Sequence, residues 1–285
     1  MFAESPNSTK MKQQYDTNIM NQKFYKYEGA GNDFIVLDNR NKHFTFHQNP
    51  ELVRKMCDRH FGIGADGLMI LQLKDGFDFE MLYYNADGNP GSMCGNGGRC
   101  ITAFAKHLNI ITDETNFLAV DGHHYAKISE NGNLVSLKMN DVSHISKDKE
   151  AYVLNTGSPH YVLQVKNLAN KNVFKDGGAI RYSNQYSRDG INVNFVEDMD
   201  DHYYVRTYER GVENETYACG TGVTAVAMAM AKMKNKTGSI STSLAVQGGN
   251  LSVNFKFDGE KFTEVFLEGP ATFVFEGSAI FNSKN

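Results

Sequence analysis

The chain has 285 residues, of which 41% are hydrophobic and 22% are charged, with a formal net charge of −4 at pH 7. This composition is typical of a soluble globular protein that forms one large domain or two of average size. The charges are interspersed, and no apolar run approaches the roughly 20 residues of a membrane-spanning helix, so we expect neither a nucleic-acid nor a membrane partner.

The first 22 residues are polar. They lack the apolar segment of a signal peptide and contain acidic residues, which transit peptides avoid. We predict that residues 1–22 form a disordered tail, or lie upstream of a translation start near Met20. Without an export signal the protein is expected in the cytoplasm, with its cysteines as reduced thiols. No two cysteines have the Cys-x-x-Cys spacing of many zinc sites, so no metal site is predicted.

Short runs rich in β-branched and aromatic residues, bounded by Gly, Asn and Asp, predict strands along most of the remaining chain. In chain order the predicted strands are 34–38, 68–73, 79–84, 134–139, 160–165, 203–208, 251–257 and 264–269. Helical periodicity is present in few places, at 49–59, 96–108 and 220–234. The pattern is α+β and lacks the strict alternation of strands and helices in a dinucleotide-binding sheet.

Two halves of the chain carry the same landmarks at nearly equal spacing. The first half contains GAGNDF, then NADG, then MCGNGGRC, in which Cys94 lies 62 residues after Asn32. The second half contains NTGSPH, then YERG, then ACGTG, in which Cys219 lies 61 residues after Ser158. These matches predict a duplicated domain.

The segments that follow the two Cys-Gly-x-Gly motifs are almost free of charge. Residues 220–231 contain no charged side chain, and residues 95–105 contain only Arg99. A helix that is apolar on all faces is buried on all faces. We therefore predict an α+β fold with two pseudo-symmetric domains, each a mostly antiparallel curved sheet wrapped around a central helix, with the two helix N-termini facing each other.

Each Cys-Gly-x-Gly motif places a thiol at the start of one of these helices. A helix N-terminus carries partial positive charge and unpaired N–H groups, which are expected to lower the pKa of the thiol and to bind a carboxylate. Two such sites facing each other suit inversion at the carbon next to a carboxylate. One thiolate would remove the α-proton, and the opposite thiol would donate a proton. Cys57 and Cys100 lack the repeated context and are interpreted as buried apolar residues.

The motifs GAGNDF, FGIGADG (61–67), NADG, MCGNGGRC, YERG, ACGTG and GPATFVFEG (269–277) together resemble the diaminopimelate epimerase family. The resemblance extends from Lys23 to Phe281. It implies an active site between two domains, and interconversion of LL- and meso-2,6-diaminopimelate in the route to lysine and peptidoglycan, without pyridoxal phosphate, another cofactor or a metal. The predicted domains are 23–139 with 270–285, and 140–269.

The resemblance also implies roles for individual residues. Cys94 and Cys219 correspond to the two acid/base thiols, and His160 and Glu209 to side chains that tune their protonation. The backbone donors to the reacting carboxylate correspond to Gly95, Asn96, Gly220 and Thr221. The side chains that bind the ammonium and carboxylate groups of the substrate correspond to Asn32, Asn85, Asn192, Glu209 and Arg210.

Three positions depart from the family pattern. Gly67 stands where many members have a glutamine that can contact the substrate, and Ser158 replaces an amide by a hydroxyl of shorter reach. Both remain candidate substrate contacts. Phe275 stands where many members have a tyrosine linked to dimer contacts, and the resemblance still implies a homodimer.

Two other functions fit parts of the pattern. An isomerase of the same fold acting on another amino acid, such as a proline-type racemase, would leave Arg210 and the asparagines unpaired at a cost of about 1–3 kcal/mol each. A non-enzymatic amino-acid binder or redox sensor would use Cys94 and Cys219 as a disulfide switch. Such a sensor would bind its ligand without exchanging the α-proton.

Overall fold

Strands dominate the computed structural model of the protein, which describes residues 19–41, 49–91 and 93–282. Within these ranges the strands form one continuous 17-stranded sheet. The elements of the first half are β1 (Ile19–Gly29), β2 (Asn32–Asp38), α1 (Pro50–Cys57), β3 (Gly67–Gln72), β4 (Phe79–Asn85), α2 (Gly95–His107), β5 (Glu114–Ala119), β6 (Gly122–Ile128) and β7 (Leu134–Lys138).

The second half continues with the same kinds of element. They are β8 (Ile145–Asp148), β9 (Ala151–Asn155), β10 (Pro159–Gln164), a 3-10 turn (Leu168–Asn170), α3 (Val173–Arg181), β11 (Asn192–Asp198), β12 (Tyr203–Glu209), β13 (Asn214–Thr216), α4 (Gly220–Met233), β14 (Gly238–Val246), β15 (Gly249–Phe257), β16 (Phe262–Pro270) and β17 (Thr272–Asn282).

Strand pairing repeats between the two halves. From β1 to β7, successive pairs are antiparallel, parallel, antiparallel, parallel, antiparallel and antiparallel. The series β9, β10, β11, β12, β14, β15, β16 has the same order. Each parallel pair is bridged by a helix, as parallel connections require, and α2 and α4 occupy equivalent positions. The predicted duplication is therefore present in the pairing of the sheet.

Two strand pairs join the halves. Strand β16 pairs with β7, from Phe266 opposite Lys138 to Pro270 opposite Leu134. Strand β17 then pairs with β1, so the end of the chain returns to the first half. The division at 139/140 and 269/270 stays a prediction. The proposed tail boundary at residue 22 differs from the structure, because β1 begins at Ile19 and pairs there with β17; residues 1–18 lie outside the described ranges.

The helices α2 and α4 are the buried centres of the two halves. In α2 every residue from Gly95 to Ala105 is buried, and in α4 every residue from Gly222 to Ala231 is buried. The strands and helices predicted from the sequence are all present, with bounds that differ by no more than two residues. Among the helices of the described ranges, none has the length and apolar character needed to cross a membrane.

Candidate active site

The N-termini of α2 and α4 meet at two glycines. A Cβ built on Gly220 would lie 3.2 Å from the Cα of Gly95, and a Cβ on Gly95 would lie 3.5 Å from the Cα of Gly220. The Leu267 side chain packs against both, at 2.9 Å and 3.0 Å from the two hypothetical Cβ positions. Only residues without a side chain allow two helix ends to approach this closely. As a result, the N-cap residues of both helices, Cys94 and Cys219, flank one region.

The Cys94 sulfur lies against the first turn of α2. Its Sγ accepts a hydrogen bond from the Gly97 N–H at 3.3 Å and lies 4.0 Å from Oδ1 of Asn32. A Cβ on Gly97 would approach this sulfur to 3.3 Å. The second glycine of the motif therefore keeps the space beside the thiol open.

The Cys219 sulfur has an equivalent environment at α4. Its Sγ lies 3.5 Å from the Thr221 hydroxyl. A Cβ on Gly222 would lie 3.3 Å from this sulfur and 2.5 Å from Oδ1 of Asn194. The repeated Cys-Gly-x-Gly spacing thus has one steric explanation at both sites: the first glycine lets the helices meet, and the second leaves room for the sulfur.

Burial reverses the expected direction of the thiol pKa values. Burial raises the pKa of the Cys94 thiol, although the Gly97 N–H bond acts in the opposite direction. Burial also raises the pKa of Cys219, to about 12. The expectation of lowered thiol pKa values was wrong because the opposing half of the protein removes water from both sulfurs, and lost solvation of a thiolate outweighs the helix N-terminus.

His160 is connected to the second thiol through Thr221. Its Nε2 lies 2.9 Å from the Thr221 hydroxyl, and its Nδ1 lies 3.1 Å from the Asn194 amide nitrogen. Because that amide can only donate, Nδ1 is the acceptor and Nε2 carries the hydrogen. Burial, aided by the charge of Arg210, lowers the pKa of His160 to about 3. The imidazole is therefore neutral at physiological pH.

Glu209 lies near both thiols. Burial raises the pKa of its carboxyl group, and a hydrogen bond from the Thr216 hydroxyl at 2.9 Å opposes this effect. Its negative charge contributes to the raised pKa of Cys94 and of Cys219. One carboxylate thus acts electrostatically on both sulfurs.

A network of charges orients Asn32. Its Nδ2 donates to Asp66 at 2.6 Å, and because a carboxylate only accepts, this bond directs Oδ1 of Asn32 toward Cys94. Arg59 contacts both Asp66 at 2.8 Å and Asp33 at 2.7 Å. Burial alone would raise the pKa of Asp33, but hydrogen bonds from Arg59 and Lys26 outweigh it and lower the pKa to about 2.

Ser158 links two of the predicted binding residues. Its hydroxyl accepts from Nδ2 of Asn192 at 2.8 Å and from Nη2 of Arg210 at 3.3 Å. Asn192 also accepts from the Arg210 backbone N–H at 2.9 Å and donates to the Pro159 carbonyl at 2.9 Å. The Asn192 amide is therefore occupied by protein groups, and it positions Arg210.

Asn96 bridges the two halves. Its Nδ2 donates to the Ala218 carbonyl at 3.3 Å, and its Oδ1 accepts from the Arg99 guanidinium at 2.9 Å. Asn85 lies at the end of β4, opposite Gly67 on β3, and is exposed. Gly67 directly follows Asp66, so the predicted residues of the first half belong to one neighbourhood.

The sequence profile of the diaminopimelate epimerase family matches residues 24–145 and 152–274. The chain belongs to this family. It is 52% identical over 255 residues to the diaminopimelate epimerase of Flavobacterium psychrophilum, covering 89% of this chain and 98% of the relative. The Chlorobaculum tepidum enzyme of the same name is 41% identical, with 88% of this chain and 98% of the relative covered.

Solved structures outside the diaminopimelate epimerase family share the fold. A phenazine biosynthesis protein of the PhzF family from Bacillus anthracis superposes with a TM-score of 0.68 at 14% identity, covering 92% of this chain and 100% of that one. A hydroxyproline epimerase from Agrobacterium vitis also gives 0.68, at 12% identity, with 95% and 94% covered. These identities establish a common fold alone.

Several residues of this member of the diaminopimelate epimerase family were not singled out from its sequence as parts of the site. Asn194 fixes the ring of His160, Asp66 orients Asn32, and Thr216 contacts Glu209. Asn194 follows Asn192 at a spacing of two on one strand, which places both on the same face and was an available signal. In the described ranges, no group of three or more His, Cys, Asp or Glu side chains is arranged to hold a metal ion.

Proposed function

We propose that the protein interconverts LL- and meso-2,6-diaminopimelate by proton transfer at one α-carbon, with Cys94 and Cys219 as the two acid/base groups. The observation that carries this proposal is the contact of two helix N-termini, each capped by a cysteine. A carbon held between the helix ends would have one sulfur on each face, and inversion needs a base on one face and an acid on the other.

In this mechanism one thiolate removes the α-proton and the opposite thiol donates its proton to the other face. Product release leaves the protonation states exchanged, and the reverse reaction uses the same two groups. The backbone N–H groups of Gly95, Asn96, Gly220 and Thr221 would stabilise the negative charge that develops on the substrate carboxylate. A thiol whose pKa is raised gives a stronger base once it is deprotonated, which suits a weakly acidic C–H bond.

The proposed substrate has a second charged end, which Arg210 is suited to bind. Its guanidinium donates to the Asp189 carbonyl and the Ser158 hydroxyl, and in the described ranges no ion pair joins it to a carboxylate. The charge of Arg210 is therefore available to a distal carboxylate. We assign the ammonium groups to Glu209 and to the amide oxygens of Asn32 and Asn85. A proline-type substrate would leave Arg210 unpaired.

The deciding experiment is proton exchange in D₂O with LL-diaminopimelate, under reducing conditions and without added cofactor. The wild type should incorporate deuterium at one α-carbon and form the meso isomer, and Cys94→Ala and Cys219→Ala should each abolish this conversion. Cys57→Ala is the matched control, because Cys57 is a buried thiol in the separate cluster under α1. Conversion that survives either active-site substitution would disprove the two-thiol mechanism.

A substrate panel separates the remaining functions. Turnover of proline or hydroxyproline without turnover of diaminopimelate would favour a proline-type racemase. Binding of diaminopimelate by the reduced wild type without any exchange would favour a binder or sensor.

A homodimer in the cytoplasm belongs to the same proposal. Apolar side chains of β17 are exposed, including Phe273, Val274, Phe275 and Ile280, and exposed edge strands of this kind are usually covered. All four cysteines are free thiols, the form that a reducing compartment preserves. Sedimentation of the wild type and of Phe275→Lys tests the dimer: the wild type should sediment as a dimer and the variant as a monomer.

A further inference from the structure

The ring of Tyr83 lies between two glycines at the edge of the site. A Cβ built on Gly67 would lie 2.5 Å from Cε2 and 2.8 Å from the hydroxyl of Tyr83. A Cβ on Gly91 would lie 2.6 Å from the opposite edge of the same ring. No real Cβ tolerates such distances, so the tyrosine occupies the space that side chains at positions 67 and 91 would take. Phe34 packs edge-on against the ring, at 6.0 Å between centroids.

The strand directs this ring toward the thiol of Cys94. Alternate residues of β4 share a face, so Met81, Tyr83 and Asn85 lie on one side of the sheet. A Cβ on Gly97 would lie 3.3 Å from both the Cys94 sulfur and the Met81 side chain, which places this face under the start of α2. The neighbouring Tyr84 packs into the separate cluster with Ile35 and Leu37.

Asn85 provides a second marker of the same location. A Cβ on Gly91 would lie 3.0 Å from Oδ1 of Asn85, in addition to its contact with the Tyr83 ring. The tyrosine is thus beside a residue already assigned to the substrate. Asn32 is close as well, because the Asp66 that orients it directly precedes Gly67.

The Tyr83 hydroxyl is available to a ligand. Within the described part of the chain it makes no hydrogen bond, and the residue is half-buried, with its oxygen not among the enclosed polar atoms that lack partners. Burial raises the pKa of Tyr83, and the charges of Cys94 and Glu209 raise it further. The phenol therefore keeps its proton and can donate a hydrogen bond at the edge of the reacting centre.

We infer that Tyr83 is a substrate-binding residue whose hydroxyl donates a hydrogen bond to a carboxylate of the amino-acid substrate, and that Gly67 is required because it admits this ring. The inference rests on the proposed function. It also explains how the site accommodates glycine at position 67, where the sequence resemblance leads one to expect glutamine: a side chain from the adjacent strand fills the space and supplies a polar group.

The first test is Tyr83→Phe, which removes the hydroxyl and keeps the ring between the two glycines. We expect kcat/KM for LL-diaminopimelate to fall roughly 10- to 100-fold, mainly through a higher KM, because a hydrogen bond to a charged group is lost. The melting temperature should stay within about 2 °C of wild type, since the packing of the ring is retained. Tyr84→Phe, on the opposite face of the same strand, is the matched control and should retain wild-type kinetics.

Kinetic constants of Tyr83→Phe within twofold of wild type would overturn the inference. This outcome is distinct from failure of the proposed function, in which the wild type itself does not convert diaminopimelate.

The second test concerns the shared space. Gly67→Gln should lower the melting temperature and the activity, because its Cβ collides with the Tyr83 ring. In the Tyr83→Val background the same glutamine should be accommodated, so the double variant Gly67→Gln/Tyr83→Val should be more stable and more active than Gly67→Gln alone. Strictly additive losses would show that the two positions do not share the space.

Discussion

The Asn96 amide donates a hydrogen bond to the Ala218 carbonyl, at 3.3 Å across the boundary between the two halves. The other end of the amide is held by Arg99, a fully buried guanidinium that also donates to the Gly95 and Pro270 carbonyls. The start of α2 is therefore connected both to the residue before Cys219 and to the crossover from β16 to β17. This arrangement fixes the relative position of the two cysteines through groups that need not touch the substrate.

Arg99→Lys should destabilise the protein and lower kcat. A lysine ammonium cannot satisfy all three acceptors, and each buried acceptor left unpaired costs about 1–3 kcal/mol. Urea denaturation and steady-state kinetics measure the two effects. Arg54→Lys is the control, because Arg54 forms an exposed ion pair with Glu51 and such pairs contribute little. Equal losses in the two variants would contradict the structural role of Arg99.

Gly220→Ala should separate the helix ends. Its methyl group would lie 3.2 Å from the Cα of Gly95 and 3.0 Å from Leu267, which is overpacking that costs about 1–3 kcal/mol of stability. We also expect roughly a 100-fold loss of kcat/KM, since small displacements of the reacting groups are costly. Gly178→Ala in α3 is the control: its methyl group would lie 3.8 Å or more from Tyr208, and alanine favours helix. Wild-type activity of Gly220→Ala would show that the contact can relax.

His160 should make the protein sensitive to acid. Its folded-state pKa is lowered to about 3 from a reference of 6.5, so the unfolded chain binds the proton more readily. The stability associated with neutral His160 is present above pH 6.5 and is lost as the pH falls toward 3, at roughly 1.4 kcal/mol per pH unit.

Urea denaturation across this pH range, comparing wild type with His160→Gln, tests the acid sensitivity. The variant should lack this part of the slope. Thr221→Val, which removes the hydroxyl partner but keeps the imidazole, should retain it. An unchanged slope in His160→Gln would assign the acid sensitivity to other groups.

Alkylation of the active-site thiols should be slow at neutral pH and accelerate in alkali. The Cys219 pKa is raised to about 12, so the reactive thiolate should increase about tenfold per pH unit over the accessible range. The same shift contributes stability below the reference pKa of 9, and this contribution is lost as the pH rises through about 12.

Mass spectrometry of iodoacetamide-treated protein gives the rate at each cysteine, and Cys219→Ala identifies the peptide by its absence. A rate that levels off below pH 8 would mean that the helix N-terminus, and not burial, dominates the thiol.

Local sequence determined the two helices with their N-terminal cysteines, most of the strands, and the duplication. Glycine next to each cysteine, the long charge-free runs that follow, and matched spacing of 62 and 61 residues are all properties of the chain itself. They indicate a pair of buried helix starts because a wholly apolar helix can only be buried. The additional helix α3 was not predicted, since it contains two glycines and little apolar periodicity.

Tertiary structure decided what these elements do to one another. The direction of the thiol pKa shifts depends on desolvation by the opposite half, which no local motif reveals. Likewise, the ring of Tyr83 fills the space above Gly67 only because β3 and β4 pair in one register, with Gly67 opposite Asn85. Helix starts and strand patterns follow from short-range sequence, whereas burial, electric fields and shared space are set by residues that are distant in the chain and meet only when it folds.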